Sequence, residues 1–111
     1  MPSGFKIVIA DDHPLFRGAL KQALAGIENI STVLEAGDFE GVKNLAITTD
    51  DIDLILLDLT MPGASGLSAL ISLRGINADV PTVVVSAHDD VPTIRRALEL
   101  GASGFIPKSA S

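Results

Sequence analysis

The apolar run Leu-Ile-Leu-Leu at residues 54–57, followed directly by Asp58, constrains the fold more than any other part of the chain. Four consecutive large apolar residues are typical of a strand buried on both faces of a parallel sheet. The next turn signal is Pro62-Gly63, so no helix is predicted to start immediately after the carboxylate. Ligands of open parallel sheets bind beyond the carboxyl ends of the strands. Asp58 is therefore predicted to lie at a functional edge of a sheet.

The whole chain alternates short apolar strands with helical patterns. Strands are predicted at residues 5–10, 32–36, 53–58, 82–87 and 104–107, and helices at 14–25, 38–48, 65–75 and 91–100. Asp38 is predicted to cap the second helix, and Gly101 to end the fourth. Short links between alternating strands and helices predict an α/β fold whose parallel sheet has right-handed crossovers.

The composition excludes several classes of function. With 111 residues the chain predicts one domain. Its net charge of -6 disfavours direct binding to DNA phosphates, and the absence of cysteine excludes disulfides, thiol nucleophiles and cysteine-bound zinc. No apolar stretch approaches the ~20 residues that cross a bilayer, and residues 1–4 do not resemble a signal peptide. A cytoplasmic location is predicted.

The predicted helices leave part of the sheet thinly covered. A parallel sheet needs both faces covered, yet the chain ends directly after the fifth strand, which suggests a chain cut before its natural end. Depending on register, Ile7, Val8 or Ile106 would then be exposed to water. We expect such a face to promote self-association.

Three carboxylates are predicted to meet at one edge of the sheet, because Asp11 and Asp12 follow the first strand as Asp58 follows the third. Two unit charges ~4 Å apart repel by roughly 4 kcal/mol at a protein surface, so either one carboxyl is protonated or a cation neutralises them. Oxygen ligands favour Mg²⁺, and His13 and His88 are interpreted as loop histidines. The alternative, that Asp11 caps a helix and Asp12 is merely solvated, leaves Asp58 unexplained.

Two further strand ends carry complementary groups. Ser86 ends the fourth predicted strand with a hydroxyl, and Lys108 follows the fifth with an ammonium. A hydroxyl, a cation and a metal facing Asp58 would together accommodate a phosphoryl group on that carboxylate.

These motifs resemble the receiver domain of bacterial two-component response regulators over essentially the whole chain. The motifs are Asp-Asp after strand one, Leu-Asp-Leu-Thr-Met-Pro-Gly around Asp58, Ser-Ala-His from Ser86 and the Pro-Lys pair that ends at Lys108. The segment Ile-Ala-Asp-Asp-His-Pro-Leu-Phe-Arg is similar to the LuxR/NarL-type subfamily. The resemblance implies a doubly wound, flavodoxin-like sheet of five parallel strands in the order 2-1-3-4-5, with the final helix missing from residues 1–111.

The resemblance also implies a role for each site residue. Asp58 would be the phospho-acceptor. Mg²⁺, for which Mn²⁺ can substitute, would be bound by Asp12 and Asp58 directly, by Asp11 mostly through water, and by the backbone carbonyl of Thr60.

Further residues would contact or respond to the phosphoryl group. Lys108 would contact it, and Ser86 with Phe105 would form the conformational switch, although Phe105 lacks the hydroxyl of the tyrosine found in many relatives. Thr60 and His88 occupy positions that tune the lifetime of the phosphoryl group.

The implied partners are a sensor histidine kinase or a small phosphodonor. DNA would be bound only through a helix-turn-helix domain beyond Ser111, with transcription as the output, and neither a membrane nor substrate turnover is expected. One alternative is a stand-alone phosphorelay receiver. A second is an aspartyl-phosphate phosphatase of the haloacid-dehalogenase type, but that motif needs an aspartate where this chain has Thr60. A Rossmann nucleotide site is disfavoured, since the first strand-helix turn lacks a glycine-rich loop.

Overall fold

The computed structural model describes residues 4–63 and 66–109. These residues form five strands and four helices in strict alternation: β1 (Phe5–Ala10), α1 (Pro14–Ala25), β2 (Ile30–Ala36), α2 (Phe39–Thr48), β3 (Leu54–Leu57), α3 (Ser68–Ile76), β4 (Thr82–Ser86), α4 (Val91–Glu99) and β5 (Gly104–Pro107). Within the described ranges, no helix is long and apolar enough to span a membrane.

All five strands are parallel and lie in the order β2-β1-β3-β4-β5. The predicted fold class and strand order are therefore confirmed. The order in which the strands are added reverses at β1, because β2 lies on one side of it and β3 to β5 lie on the other. Such a switch point, here between β1 and β3, opens a crevice at the carboxyl ends of the strands. The register aligns the ends of β1 and β3, where Ala10 pairs with Leu57, and those of β4 and β5, where Ser86 pairs with Pro107. Leu57 pairs with Val84, so β4 extends two residues beyond β3.

The two faces of the sheet bury apolar clusters of unequal size. The larger cluster packs α2, α3 and α4 against alternate strand residues, including Val8, Leu57 and Val84. The smaller cluster has Ile7, Ile9, Leu56 and Val85 at its centre and is covered by α1. Alternation along each strand assigns neighbouring residues to opposite faces, so Ile7 and Val8 belong to different clusters.

The prediction about exposed strand residues is wrong for two of its three candidates. Ile7 is 5% exposed because α1 covers it, and Val8 is fully buried because it points into the larger cluster. Ile106 is 50% exposed, on the edge strand β5. Self-association through this edge stays a prediction.

Most predicted boundaries lie within two residues of the observed ones, and the main correction concerns α3. This helix begins at Ser68, since Gly66 has a left-handed φ of +52° that no right-handed helix accommodates. The predicted start at residue 65 lies outside the described residues. The strand β2 begins two residues early, because Ile30 already pairs with Phe5.

Both predicted helix-end signals are confirmed. The Asp38 carboxylate accepts a hydrogen bond of 2.7 Å from the amide of Gly41 in the first turn of α2. Gly101 follows α4 with a φ of +106° and donates to the carbonyl of Leu98. This left-handed conformation ends the helix, as expected for glycine.

Candidate functional site

The candidate site lies at the carboxyl edge of the four strands β1, β3, β4 and β5. Asp11 directly follows β1, Asp58 directly follows β3, Ser86 is the last residue of β4, and Lys108 directly follows β5. Because all four parallel strands end at this edge, residues far apart in sequence meet here. The sheet therefore brings together the charged residues that the sequence predicted.

Asp58 is a buried carboxylate with a defined set of partners. It is 1% exposed, and its amide remains in the sheet through a hydrogen bond of 2.8 Å to the carbonyl of Ala10. The amide and hydroxyl of Thr60 both donate to Oδ1 at 3.2 Å. Lys108 Nζ donates to Oδ2 at 3.2 Å. Both oxygens thus face groups that favour negative charge.

The loop after Asp58 packs against the start of α2. Gly63 has a left-handed φ of +92°, and a Cβ built there would lie 3.3 Å from Cβ of Phe39. The neighbouring Pro62 carbonyl accepts a hydrogen bond of 3.0 Å from the Phe39 amide. The Pro-Gly turn therefore attaches this loop to the start of α2.

Asp11 and Asp12 stand beside Asp58 with different degrees of burial. Asp11 is 1% exposed, whereas Asp12 is half-buried. Oδ1 of Asp11 accepts a hydrogen bond of 2.7 Å from the His13 amide. Within the described chain, Asp11 Oδ2 and Asp12 Oδ1 are buried and accept no hydrogen bond of acceptable geometry. Lys108 Nζ does lie 2.8 Å from Asp11 Oδ2, at ion-pair distance. The alternative in which Asp11 caps α1 is wrong, because the N-cap residue is His13 and its side chain makes no capping bond.

Lys108 is the cation of the site. Its side chain is 12% exposed, and its ammonium contacts both Asp11 and Asp58. Burial lowers the pKa of Lys108, but its contacts with Asp11 and Asp58 outweigh burial and raise the pKa above its ordinary value. The ammonium also lies 4.6 Å from the centre of the Phe16 ring on α1. Lys108 is therefore positively charged at neutral pH.

His13 is the site residue that the sequence analysis missed. Its Nδ1 lies 3.3 Å from Asp12 Oδ1, 3.4 Å from Asp11 Oδ1 and 3.8 Å from Asp58 Oδ2. His13 is a loop histidine, as predicted, since it is the N-cap residue before α1. This loop lies at the carboxyl edge of the sheet and brings Nδ1 close to the three carboxylates. Its place outside the ligand set stays a prediction. Its place directly after two site aspartates was the available signal.

The donor set fits a divalent cation. One atom each from Asp11, Asp12, His13 and Asp58 can be chosen so that all four lie within 4.8 Å of one another. Two buried carboxylate oxygens without hydrogen bonds supply lone pairs for such an ion. Oxygen-rich sites with several carboxylates suit Mg²⁺ and Mn²⁺.

Ser86 and Phe105, the predicted switch residues, lie behind the charged cluster. Ser86 is fully buried, and its Oγ accepts a hydrogen bond of 3.0 Å from the amide of His88. The ring of Phe105 is half-buried and packs against the larger apolar cluster. Their coupled movement stays a prediction.

Thr60 and His88, the predicted lifetime residues, line one cavity next to Asp58. This cavity has a volume of about 320 Å³ and also contacts Leu59, Gly66, Leu67 and Thr93. Thr60 connects this cavity to Asp58, because its amide and hydroxyl both donate to the Asp58 carboxylate. The influence of Thr60 and His88 on the lifetime of a phosphoryl group stays a prediction. His88 is not part of the four-residue cluster that could hold a cation.

Comparison with known proteins places this geometry in a family. The model of the response regulator receiver domain matches residues 7–111. The glycerol metabolism activator of Pseudomonas putida is 46% identical over 106 residues, which cover 96% of this chain and 48% of the relative. The probable transcriptional regulatory protein NarL of Mycobacterium tuberculosis is 34% identical over 110 residues, covering 99% of this chain and 50% of the relative. The chain thus spans about half the length of these curated relatives.

Solved structures give the same result. The signal receiver domain of the putative response regulator NarL from Mycobacterium tuberculosis superposes with a TM-score of 0.80 at 32% identity, covering 99% of this chain and 88% of that one. A chain of the CheX–CheY–BeF₃–Mg²⁺ complex from Borrelia burgdorferi superposes with a TM-score of 0.86 at 26% identity, covering 96% and 80%.

Proposed function

We propose, from the premise that this chain belongs to the response regulator receiver domain family, that it accepts a phosphoryl group on Asp58 with the help of Mg²⁺. The phosphoryl group would come from a sensor histidine kinase or from a small acyl phosphate. Its attachment would change the conformation of the domain and thereby regulate transcription. No turnover of a separate phosphate ester is expected.

The observation that carries this proposal is a buried carboxylate facing a partly buried ammonium beside two more carboxylates. Lys108 Nζ lies 3.2 Å from Asp58 Oδ2 and 2.8 Å from Asp11 Oδ2. A site that only accepted a proton would not need this arrangement. It suits a phosphoryl group, whose oxygens carry negative charge that Lys108 offsets.

These positions suit the following proposed reaction. With acetyl phosphate, a carboxylate oxygen of Asp58 forms a bond to phosphorus, and the bond between phosphorus and the acetate oxygen breaks, so that acetate leaves. Lys108 would move from its contact with the free carboxylate to a phosphoryl oxygen, and Ser86 would donate a hydrogen bond to another. Bound Mg²⁺, held by Asp11, Asp12 and Asp58, would offset the remaining negative charge.

The Mg²⁺ assignment has support from the donor set and from a structural relative. The carboxylates of Asp11, Asp12 and Asp58 have atoms close enough to share one ion. The relative from Borrelia burgdorferi was solved as a complex that includes Mg²⁺ and BeF₃. The backbone carbonyl of Thr60 is a further proposed ligand.

Transcriptional output is proposed from the names of the relatives. NarL of Mycobacterium tuberculosis is described as a probable transcriptional regulatory protein, and this chain matches about half of its length. We assign DNA binding to a separate C-terminal domain, because a net charge of -6 disfavours DNA phosphates. A cytoplasmic location and a histidine kinase partner belong to the same proposal. The stand-alone phosphorelay receiver predicts the same chemistry without DNA binding.

The labelling of Asp58 can be measured directly. The protein is incubated with acetyl phosphate and Mg²⁺, with and without EDTA, and the intact mass is recorded. Wild type should gain one phosphoryl group, about 80 Da, only when Mg²⁺ is present. Asp58→Ala should gain none, because the nucleophile is absent.

A matched control replaces an exposed aspartate at the opposite edge of the sheet. Asp79 lies in the loop before β4 and is exposed. Asp79→Ala should label like the wild type. Labelling of Asp58→Ala at the wild-type rate, or equal wild-type labelling in EDTA, would contradict the proposal.

A further inference from the structure

His13 presents a nitrogen to the cation site, and this contact has no part in the function proposed above. Nδ1 lies within 3.8 Å of an oxygen from each of Asp11, Asp12 and Asp58. Building on the proposed function, we propose that His13 is a fourth protein ligand of the bound cation. It makes the site mixed in nitrogen and oxygen, and it shifts the metal preference from Mg²⁺ toward Mn²⁺.

The first argument is that Nδ1 already lies beside a positive charge. Lys108 Nζ lies 3.1 Å from Nδ1 of His13. Asp11 and Asp58 contact the same ammonium. One imidazole nitrogen and two carboxylates thus converge on one cation.

The second argument is the spacing of the donor atoms. An octahedral ion with ligands about 2.1 Å away holds adjacent ligands about 3.0 Å apart and opposite ligands about 4.2 Å apart. The separations of Nδ1 from the three carboxylates, 3.3, 3.4 and 3.8 Å, fall between these values. Small side-chain rotations would therefore bring Nδ1 into the shell of an ion that Asp12 and Asp58 bind.

The third argument is that the backbone of His13 is fixed, whereas its imidazole is not used to cap the helix. The His13 amide donates a hydrogen bond of 2.7 Å to Asp11 Oδ1, and Pro14 directly follows as the first residue of α1. His13 is the N-cap residue, yet its side chain makes no capping hydrogen bond. The side chain is 61% exposed, so ligation does not require a change in the core.

The expected consequence is a change in metal preference. Mg²⁺ strongly prefers oxygen ligands, whereas imidazole is a favourable ligand for first-row transition ions, and Mn²⁺ accepts both. His13→Gln replaces the nitrogen by an amide oxygen at the same place. We expect the affinity of Mn²⁺ relative to Mg²⁺ to fall about tenfold in this variant, a size typical of losing one supporting metal contact.

The decisive experiment is pulsed electron paramagnetic resonance of the 111-residue protein loaded with Mn²⁺ alone. A directly coordinated imidazole modulates the electron spin echo through its ¹⁴N nucleus. The chain contains two histidines, so His88→Gln is the matched control. Wild type and His88→Gln should show the imidazole modulation, and His13→Gln should lose it. Competition of Mg²⁺ against bound Mn²⁺ gives the affinity ratio in the same samples.

The outcomes separate this inference from the proposed function. Mn²⁺ that binds at the carboxylate cluster without imidazole modulation in wild type overturns the role of His13, while Mg²⁺-dependent labelling of Asp58 is unaffected. Modulation that persists in His13→Gln also overturns it. Failure of Mn²⁺ to bind any of the three proteins overturns both the ligand assignment and the cation site.

Discussion

The two edges of the sheet carry similar residues and differ in what they bury. At the amino edge, Lys6 Nζ donates to the carbonyl of Asp50 at 2.7 Å, and the carboxylate of Asp53 accepts from the Lys6 amide at 2.8 Å. The aspartates at 50, 51 and 53 are all exposed. At the carboxyl edge, Asp11 and Asp58 are buried and share one partly buried ammonium.

The comparison shows that the size of a cavity does not by itself identify the functional site. A cavity of about 480 Å³ at the amino edge is lined by Lys6, Asp51 and Asp53, and it is larger than the cavity of about 320 Å³ beside Asp58. Exposed carboxylates are stabilised by water and need no partner. Buried carboxylates destabilise the fold unless a cation or hydrogen bonds compensate, so burial of charge distinguishes the functional edge.

Removing the lysine at each edge is the strongest test of this difference. Lys108→Met should lower the free energy of unfolding in EDTA by about 2–3 kcal/mol, because it leaves two buried carboxylates without their cation. Lys6→Met should change it by less than about 1 kcal/mol, as for exposed pairs. Urea denaturation at neutral pH measures both. Equal losses would show that the two edges do not differ in this way.

The pH dependence sharpens the same test. Because the pKa of Lys108 is raised in the folded state, its contribution is fully present below its ordinary value of 10.5 and is lost as the pH rises through the folded-state pKa. The stability of wild type should therefore approach that of Lys108→Met only at strongly alkaline pH. A difference that disappears near neutral pH would contradict the ion pairs.

Mg²⁺ should stabilise the carboxyl edge by a smaller amount. At a Mg²⁺ concentration ten times the dissociation constant, the gain is about 1.4 kcal/mol, or roughly 6–11 °C in Tm at about 4–8 °C per kcal/mol for a domain of this size. Asp12→Ala should lose most of this gain, Asp11→Ala less, and Asp53→Ala at the amino edge none. Thermal unfolding with and without Mg²⁺ measures these shifts in Tm. A wild-type Tm that does not change with Mg²⁺ would contradict the proposed metal site.

The smallest effect on stability is expected from replacing one serine at each edge. The effect of these substitutions on conformation is the most specific. Ser86→Ala should still be labelled at Asp58 but lose the accompanying change around residues 88–106, because the proposed switch needs the Ser86 hydroxyl to link the phosphoryl group to Phe105. Ser31→Ala, an exposed change near the amino edge, should retain it. Amide spectra of wild type and both variants, recorded before and after phosphorylation, measure this conformational change. Matching shifts in wild type and Ser86→Ala would exclude the serine as the link.

Much of the fold could be predicted because local signals agreed with each other. The bounds of β1, α1 and β5 match the prediction, since each is marked by an apolar run or helical stripe next to a turn residue. The grouping of Asp11, Asp12, Asp58 and Lys108 was predictable for a geometric reason. In a parallel sheet, every residue that follows a strand lies at the same edge.

The misses needed information that a linear pattern does not contain. Whether Ile7 or Val8 faces α1 depends on strand register and on which helix covers which face. The start of α3 depends on the left-handed Gly66. His13 was missed because the direction of a side chain at a helix N-cap depends on the turn that precedes it, and that turn is held by the carboxylate of Asp11.

The backbone of the site remains part of the sheet even where the strands formally end. The Asp11 amide donates a hydrogen bond of 3.0 Å to the carbonyl of Ala36, and the Asp58 amide donates one of 2.8 Å to the carbonyl of Ala10. Hydrogen exchange at such amides requires opening of the central strands, which occurs only with nearly complete unfolding. The two acidic residues should therefore be among the slowest-exchanging positions of the chain. Signalling motion would then be carried by side chains and by the loops that follow the strands, while the backbone at Asp11 and Asp58 stays protected for as long as the domain is folded.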